Sequence, residues 1–317
     1  MTITVGVVMD PISRITPKKD TTLAILLSAQ RRDWKIFYLE LSDMILRDGQ
    51  PYAYSRGLVV RDSLDDWYAF VDDKKLHTMD DFDVILMRKD PPFDTEYIYS
   101  TYILEQAQAR GCLVVNDPRS LRDANEKLFT AWFADVCPST LVTRDPSEIK
   151  RFLTEFGDII VKPLDGMGGT SIFRVTAGDE NASVIYETLT RHATRFCMSQ
   201  QYIPEITQGD KRILMIDGEP IPYALARIPS AGELRGNLAA GGTGRGQPLS
   251  ERDLEICRKV GPELKRRGLI FVGLDVIGDY LTEINVTSPT CLRELEARFD
   301  VRIADQLIDC IAGHLAR

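Results

Sequence analysis

Strand-like and helix-like segments alternate along the first 120 residues of the chain. Short apolar runs typical of buried strands are separated by longer runs with helical periodicity. In chain order these segments are Ile3–Met9, Thr22–Gln30, Ile36–Leu39, Val84–Met87, Tyr97–Ala109 and Leu113–Asn116. The alternation predicts βαβ units, and therefore an open, mainly parallel α/β domain. Ligands of such sheets bind beyond the carboxyl ends of the strands.

Two of these predicted strands end in polar sequences that contain proline, Met9-Asp10-Pro11 and Met87-Arg88-Lys89-Asp90-Pro91-Pro92. A guanidinium group can hold a carboxylate through two hydrogen bonds, whereas an ammonium group acts as a point charge. Arg88 is therefore a candidate ligand for a substrate carboxylate. A solvated surface arginine is the alternative interpretation.

The length and charge of the chain limit the classes of function to consider. A chain of 317 residues exceeds the size at which one core usually divides, so we expect two or three domains. The 39 basic and 47 acidic residues give a net charge of −8, which argues against nonspecific binding to nucleic acid or anionic membranes. No apolar stretch approaches the roughly 20 residues that span a bilayer, and the first ten residues lack the basic start of a signal peptide. We therefore expect a cytoplasmic protein with small-molecule substrates.

The cysteines and the three histidines indicate no catalytic motif. The cysteines are scattered without a C-x-x-C pair, which predicts neither a zinc site nor a disulfide framework. The chemistry must then depend on carboxylates, arginines, lysines and a metal ion. The six cysteines are Cys112, Cys137, Cys197, Cys257, Cys291 and Cys310.

Three domains are predicted, with bounds 1–122, 123–200 and 201–317. Polar and proline residues at Asn116-Asp117-Pro118 precede the first boundary, and a helix containing Asn125-Glu126-Lys127 and Leu128–Phe133 follows it. The second and third domains each mix strands and helices, which is typical of α+β units. The predicted elements of the second domain are Leu141–Thr143, Pro146–Phe156, Asp158–Lys162, Ser171–Val175, Val184–Thr194 and Phe196–Gln201.

A lysine and a glycine-rich turn follow one strand of the second domain. The strand Asp158–Lys162 leads through Pro163 into Leu164-Asp165-Gly166-Met167-Gly168-Gly169-Thr170-Ser171. Glycine lets backbone N–H groups converge on phosphate oxygens without interference from a Cβ atom. Neither the P-loop nor the dinucleotide spacing is present. The turn is a candidate phosphate site, and a hairpin with a glycine bulge is the alternative.

The third domain carries two candidate anion-binding arginines and a long glycine-rich loop. The turn dipeptide Asp217-Gly218 predicts a hairpin that brings Arg212 and Arg227 together, where they could clamp a phosphoryl group or a carboxylate. The loop Ile228–Pro248 contains six glycines and Arg235. Such a loop is often an active-site lid, and a linker is the alternative. A helix capped by Ser250 is expected after it.

A second predicted hairpin, GLDVIGDYLTEIN, carries three oxygen ligands. Asp275 ends one strand, Gly278-Asp279 forms the turn, and Glu283 and Asn285 lie on the returning strand. Because side chains alternate along a strand, Glu283 and Asn285 share one face. Carboxylate and amide oxygens suit Mg²⁺, which keeps other positions for water and phosphates. An edge hairpin with polar residues facing water is the alternative.

Taken together, these motifs resemble the ATP-grasp superfamily and, more narrowly, the bacterial glutathione synthetases. The resemblance covers essentially the whole chain. It rests on the runs VILMRKDPPFDTEYIY, SLRDANEKLF, KPLDGMGGTSIFRV, RGNLAAGG and FVGLDVIGDYLTEINVTSPTCLRE. It implies an N-terminal α/β substrate domain followed by an ATP-grasp fold of two α+β subdomains.

The resemblance also implies roles for individual residues. The ATP-binding positions are Lys127, Lys162, Gly166, Gly168, Gly169, Gln201, Tyr202, Ile203 and Asp210, with residues 201–203 at the adenine. The implied metal ligands are Asp275, Glu283 and Asn285, for Mg²⁺ or Mn²⁺, and the implied catalytic arginines are Arg212, Arg227 and Arg235. Substrate-binding positions are Arg88, Asn285, Ser288 and Thr290, and residues 228–244 match a mobile lid.

The implied reaction is ATP-dependent ligation of γ-glutamylcysteine to glycine, which yields glutathione, ADP and phosphate through an acylphosphate. The resemblance further implies a homotetramer. Two alternatives follow from the residues: another carboxylate–amine ligase, such as a dipeptide ligase, and a nucleotide-binding module without catalysis. Activity with D-alanine would favour the first, and ATP binding without ADP formation would favour the second.

Overall fold

The computed structural model describes residues 2–166, 168–230, 232–233, 236 and 241–316. Three β-sheets follow one another along the chain, and helices cover them. Among the described residues, none of the helices combines the length and the apolar composition needed to cross a membrane.

The N-terminal part is built on an eight-stranded sheet. Four strands, in the order β2-β1-β7-β8, are parallel, and β4 extends the sheet with antiparallel pairing to β2, β3, β5 and β6. The strands are buried because helices cover the sheet, as expected for a parallel core. The elements are β1 (Thr4–Val8), α1 (Thr21–Arg31), β2 (Lys35–Leu39), β3 (Met44–Arg47), β4 (Gln50–Val60), β5 (Tyr68–Phe70), β6 (Lys75–Thr78), β7 (Val84–Met87), α2 (Thr95–Gln108), β8 (Leu113–Val115) and α3 (Pro118–Asp123).

The middle part is a four-stranded antiparallel sheet in the order β11-β10-β12-β9, with two helices packed on it. Its first helix begins after Asp145, whose side chain accepts a hydrogen bond from Ser147 N, and ends at Gly157 with φ +73°. The elements are β9 (Thr140–Thr143), α4 (Pro146–Phe156), β10 (Asp158–Pro163), β11 (Phe173–Thr176), α5 (Ala182–Thr190) and β12 (Cys197–Gln201).

The C-terminal part contains a five-stranded antiparallel sheet in the order β15-β14-β13-β16-β17. Asp217 and Gly218 close the β13–β14 hairpin with φ values of +49° and +85°. These are the positive values that a type I′ turn requires. The elements are β13 (Asp210–Ile216), β14 (Glu219–Ile228), β15 (Thr243–Pro248), α6 (Glu251–Arg266), β16 (Phe271–Ile277), β17 (Tyr280–Asn285), α7 (Leu292–Glu296) and α8 (Ile303–Leu315).

Direct contacts join the N-terminal and C-terminal parts. The buried side chain of Asn116 donates to the carbonyl oxygens of Phe271 and Val286 and accepts from the Phe271 N–H, at 2.7–2.8 Å. Arg32, the residue that follows α1, forms ion pairs with Asp305 and Asp309 of α8. The Asn116 bonds hold the end of β8 against the sheet that carries the predicted metal ligands, and the Arg32 ion pairs join α1 to α8.

The fold class predicted from the sequence is confirmed, and three details differ. Strands β3 to β6 were not predicted, and they make half of the first sheet antiparallel. Residues 125–127, which were expected inside a helix, lie in a turn between α3 and a 3₁₀ helix, Leu128–Val136. The predicted loop Ile228–Pro248 is shorter than expected, because Thr243–Pro248 forms β15 and pairs with β14.

Candidate active site

A cavity of about 530 Å³ lies where the three sheets meet. Residues at the ends of β1 and β7 line part of it, and residues of β10, β12, β13, β14, β16 and β17 line much of the remainder. All predicted site residues within the described part of the chain line this cavity. Arg235, the remaining one, lies outside the described residues.

The predicted metal ligands lie together on one face of the β16–β17 hairpin. Asp275 is directly opposite Glu283, and Gly273 is directly opposite Asn285. Since opposed residues of an antiparallel pair point to the same side, all three oxygen ligands face the cavity. The Asn285 amide donates to the carbonyl oxygen of Gly273 at 3.2 Å, which orients the side chain.

Two buried arginines bind the carboxylate of Asp275. Arg212 lies opposite Asp275 on β13 and donates from Nε and Nη2 to its two oxygens at 2.6 and 3.1 Å. Arg227 Nη2 lies 2.9 Å from Oδ2. Burial alone would raise the pKa of Asp275, but the two guanidinium groups outweigh it and hold the pKa well below the ordinary value. Glycine is needed at 273, since a Cβ atom there would lie 2.9 Å from Arg212 Cδ.

Asp210 extends this cluster along the same face. It lies opposite Arg227 and forms an ion pair with it, while its carbonyl oxygen accepts from Arg227 Nε at 3.3 Å. Burial, only partly offset by Arg227, raises the pKa of Asp210 to about 7. Its buried Oδ1 atom has no hydrogen-bond partner in the part of the chain that the structure describes. A proton or a bound ligand can satisfy that oxygen.

Two buried lysines face Glu283, on the other strand of the β16–β17 hairpin. Lys127 Nζ and Lys162 Nζ each lie 3.5 Å from Glu283 Oε1. Burial would raise the pKa of Glu283, but the two ammonium groups reverse this and lower it. Burial also lowers the pKa of Lys162, against the attraction of Glu283. An anion such as a phosphate would favour the charged lysine.

The glycine-rich turn after β10 closes over these lysines. The carbonyl oxygen of Gly166 accepts a hydrogen bond from Lys127 Nζ at 2.6 Å. Gly168 and Gly169 have φ values of +61° and +81°, in the left-handed region that favours glycine. A Cβ atom on Gly166 would lie 2.8 Å from Pro163 Cγ. Glycine at these positions therefore permits a tight turn at the cavity wall.

The connection after β12 forms another wall. Gln201 N donates to Ser139 O at 3.0 Å and Tyr202 N to Asp158 O at 3.1 Å, so both groups are already bonded within the sheet. The guanidinium of Arg174 lies 3.8 Å from the centre of the Tyr202 ring and also binds Asp158. This pairing holds the Tyr202 ring at the edge of the cavity.

The N-terminal sheet supplies the third wall. Arg88, at the end of β7, is buried and donates to Thr22 Oγ1 at 3.1 Å and to Pro289 O at 3.0 Å. These bonds use two of its five N–H groups. Ser288 Oγ donates to the carbonyl oxygen of Arg88 at 3.4 Å. Arg88 and the 288–290 segment are thus brought together, although they lie 200 residues apart in the sequence.

Comparison with known proteins identifies the family. A model of the prokaryotic glutathione synthetase N-terminal domain matches residues 3–122, and a model of the prokaryotic glutathione synthetase ATP-grasp domain matches residues 126–300. The chain belongs to the prokaryotic glutathione synthetase family. It is 59% identical to the glutathione synthetase of Escherichia coli K12 over 313 residues, covering 99% of each chain. It is also 59% identical to that of Salmonella typhimurium over 315 residues, covering 99% of this chain and all of the relative.

Two solved structures of other synthetases share the fold of this glutathione synthetase family member. The D-cycloserine synthetase DcsG superimposes with a TM-score of 0.69 at 14% identity, over 98% of this chain and 99% of that chain. D-alanyl-alanine synthetase A of Vibrio cholerae superimposes with a TM-score of 0.61 at 13% identity, over 100% and 99%. Family membership also makes this chain a ligase, which removes the alternative of a binding module without catalysis.

The predicted metal ligands of this glutathione synthetase family member fit a hard divalent cation. An ionised carboxylate offers about four lone-pair positions. The three hydrogen bonds and ion pairs from Arg212 and Arg227 leave one such position on Asp275 Oδ1. Glu283 faces its lysines at 3.5 Å, longer than a strong hydrogen bond, so its oxygens can also turn to a cation. All donors are oxygens, as Mg²⁺ and Mn²⁺ prefer.

Sequence reasoning missed one residue that shapes the site, Glu126. Its partly buried carboxylate accepts hydrogen bonds from Val286 N, Thr287 N and Thr287 Oγ1 at 2.9–3.2 Å. Its carbonyl oxygen accepts from Ile284 N at 2.8 Å. Glu126 thus holds the outer edge of β17 on both sides of Asn285. Its position beside Lys127 was the only signal in the sequence.

Proposed function

We propose that the chain joins γ-glutamylcysteine to glycine, with ATP as the energy source, to give glutathione, ADP and phosphate. The observation that carries this proposal is the convergence of Lys127, Lys162, Arg212 and Arg227 with the Asp275–Asn285 oxygen ligands in one cavity. Phosphoryl transfer requires positioning and neutralisation of charge more than a protein nucleophile. Identity to glutathione synthetases along the full chain supports this substrate pair over that of a different dipeptide ligase.

In this proposal, ATP lies between the middle and C-terminal sheets. The adenine lies against Gln201, Tyr202 and Ile203, where backbone N–H and C=O groups would recognise its edge. Lys127 and Lys162 bind the phosphates, and the turn through Gly166, Gly168 and Gly169 covers them. Asp210 contributes to the nucleotide site through its ion pair with Arg227.

Asp275, Glu283 and Asn285 would hold the divalent cation, Mg²⁺ or Mn²⁺. When bound, it neutralises charge on the transferring phosphate. Arg212 and Arg227 keep Asp275 ionised and in place, and in the transition state their remaining N–H groups stabilise the phosphoryl oxygens. Arg235 is assigned a similar role by the resemblance alone.

The substrate carboxylate is proposed to enter from the side of the N-terminal sheet. Arg88, Ser288 and Thr290 bind the dipeptide there, and the Asn285 amide contributes to the same wall. An oxygen of the cysteinyl carboxylate attacks the γ-phosphorus and ADP leaves, which yields an acylphosphate. The amine of glycine then attacks the acyl carbon, phosphate leaves with its electron pair, and the amine gives its proton to solvent. A cavity closed to water protects the acylphosphate from hydrolysis.

The remaining assignments of the proposal concern organisation. We assign residues 1–122 to substrate binding, and 123–200 and 201–317 to the two halves of the nucleotide site. We further propose a cytoplasmic homotetramer that binds neither nucleic acid nor membranes. Sedimentation of the purified protein tests the tetramer, since a monomer of 35.7 kDa and a tetramer differ fourfold in mass.

Product identification by mass spectrometry tests the proposed reaction. The full chain is incubated with ATP, Mg²⁺, γ-glutamylcysteine and glycine, and a matched sample receives D-alanine alone as acceptor and donor. The proposal predicts glutathione and ADP in equal amounts in the first sample and no dipeptide in the second. A D-alanyl dipeptide, or ADP without glutathione, would contradict it.

A further inference from the structure

A cluster of potential metal ligands lies outside the cavity, at the junction of the β13–β14 hairpin and helix α8. It consists of Asp217, Cys310 and His314, and one ligand atom of each lies within 4.8 Å of the other two. Within the described residues, it is the only group of three histidine, cysteine or acidic side chains with this geometry. We propose that it binds one divalent transition-metal cation of the kind that thiolate and imidazole ligands select, such as Zn²⁺.

The two ligands on α8 are correctly spaced for a single cation. Cys310 and His314 are four residues apart, and residues with this spacing lie on the same face of a helix. The buried residues Leu307, Ile308 and Ile311 anchor the helix in the core. Thiolate and imidazole are ligands that select zinc over magnesium or calcium. The position of two such ligands on one anchored helix reduces the entropy lost when the cation binds.

The third ligand is held in place by its turn. Asp217 N donates to Ile270 O at 2.8 Å, and Gly218 packs so closely on α6 that a Cβ atom there would lie 2.7 Å from Gly261 O. Lys265 pairs with Asp217 Oδ2 at 3.0 Å, while the other oxygen, Oδ1, lies 3.5 Å from His314 Nε2. The lysine therefore leaves one carboxylate oxygen facing the cluster.

The ring nitrogen Nε2 of His314 is also available to bind a cation. This atom is buried and makes no hydrogen bond within the described part of the chain; the Asp217 carboxylate, 3.5 Å away, forms an ion pair with it only when the ring is charged. A buried polar atom without a hydrogen bond carries a free-energy cost that a bound cation would remove. The three side chains are only partly buried as residues, so a cation can enter and a water molecule can complete a tetrahedral set. On binding, the Cys310 thiol gives its proton to solvent and forms the sulfur–metal bond, with no change in oxidation state.

This site is separate from the proposed magnesium site. Asp210 lies at one end of β13 and Asp217 follows the other end, so the seven-residue strand puts roughly 23 Å between them. The two sites also differ in chemistry, because only the α8 site contains sulfur. A bound cation here would link the β13–β14 hairpin to α8. The inference does not depend on which reaction the cavity performs.

Cobalt spectroscopy of the full-length protein tests the proposal, since Co²⁺ replaces zinc and absorbs in the near ultraviolet when a thiolate binds it. Co²⁺ is titrated into the fully reduced protein, and Zn²⁺ is then added to displace it. We expect a thiolate charge-transfer band that saturates at one equivalent and disappears with Zn²⁺. Cys310→Ser should abolish the band, and His314→Ala should weaken binding at least about tenfold.

Two control variants make the result decisive. Cys137→Ser removes the other partly exposed cysteine, and Glu283→Gln weakens the cavity site, so both should keep the band. Circular dichroism confirms that each variant is folded. No band in the wild-type protein, or a band that persists in Cys310→Ser, would overturn the proposal. Failure of glutathione formation would leave this test unaffected.

Discussion

Asp275 and Glu283 lie directly opposite each other on β16 and β17, yet they pair with different basic side chains. Asp275 is bound by two arginines, and Glu283 lies between two lysines. One cross-strand pair therefore links the arginine side and the lysine side of the cavity. A metal ion bound between these two carboxylates would lie between the arginines and the lysines. These are the positive groups that would bind the phosphates of a nucleotide.

We expect Glu283→Gln to disrupt metal-dependent turnover. The substitution keeps the shape but removes the charge that faces Lys127 and Lys162, and with it one anionic metal ligand. The Mg²⁺ concentration for half-maximal activity should rise at least about tenfold. Tyr280→Phe, an exposed position on the same strand, is the control and should behave as wild type. An unchanged Mg²⁺ dependence in Glu283→Gln would refute the ligand assignment.

Arg227→Ala should reduce kcat by about 10²–10³, the usual effect of removing one charge-stabilising donor. Arg227→Lys should recover little, because an ammonium group cannot bind Asp210 and Asp275 in the same planar geometry. Steady-state kinetics measures the change, and the melting temperature shows whether the fold survives. Arg245→Ala, an exposed arginine on β15, should leave kcat unchanged. A kcat within twofold of wild type for Arg227→Ala would exclude a role in catalysis.

Glu126 should act as a positioning residue. Glu126→Ala removes the acceptor for three hydrogen bonds beside Asn285, so the ligand strand should lose its fixed register and the Mg²⁺ requirement should rise about 10–100-fold. Glu126→Gln keeps an acceptor oxygen and should recover most of the loss. A merely structural role predicts a lower melting temperature with wild-type Mg²⁺ dependence, and that result would count against positioning.

Acid stability should depend on Glu263 at the end of α6. Hydrogen bonds from Arg266 and Arg267 outweigh partial burial and lower the pKa of Glu263 from 4.5 to about 2. A lowered pKa means that its stabilising effect is complete above pH 4.5 and is lost as the pH falls towards 2. Solvent screening limits the effect to about 1 kcal/mol.

The comparison of wild type with Glu263→Gln measures this effect. The wild-type protein should have the higher melting temperature at pH 6, and the difference should shrink between pH 4.5 and pH 2.5. Glu155→Gln, an exposed position on α4, should show no such trend. A difference between wild type and Glu263→Gln that is independent of pH would contradict the assignment.

Sequence patterns predicted the parts of the site that are formed by residues close to one another in the sequence. The two hairpins follow from turn dipeptides and alternation, so the shared face of Glu283 and Asn285 could be read directly from the sequence. Asn116 and Glu126 could not, because their partners lie 155 and 160 residues away and ordinary amide and carboxylate side chains carry no mark of such contacts.

The additional strands of the first sheet were missed for a similar reason. In β4, buried residues mostly alternate with more exposed ones, but its partners β3, β5 and β6 are short and contain no buried residue. Strands of three or four residues carry too little periodicity to be distinguished from loops. The cluster at Asp217 shows the same limit, since the spacing of Cys310 and His314 is visible in the sequence and the approach of Asp217 is not.

The most direct test of the account follows the oxygen atoms of the substrate carboxylate. We propose that the cavity activates this carboxylate by phosphorylation. With γ-glutamylcysteine labelled with ¹⁸O in its cysteinyl carboxylate, the phosphate released during glutathione synthesis should carry one ¹⁸O atom, as measured by mass spectrometry. Release of unlabelled phosphate together with labelled glutathione would contradict the acylphosphate mechanism.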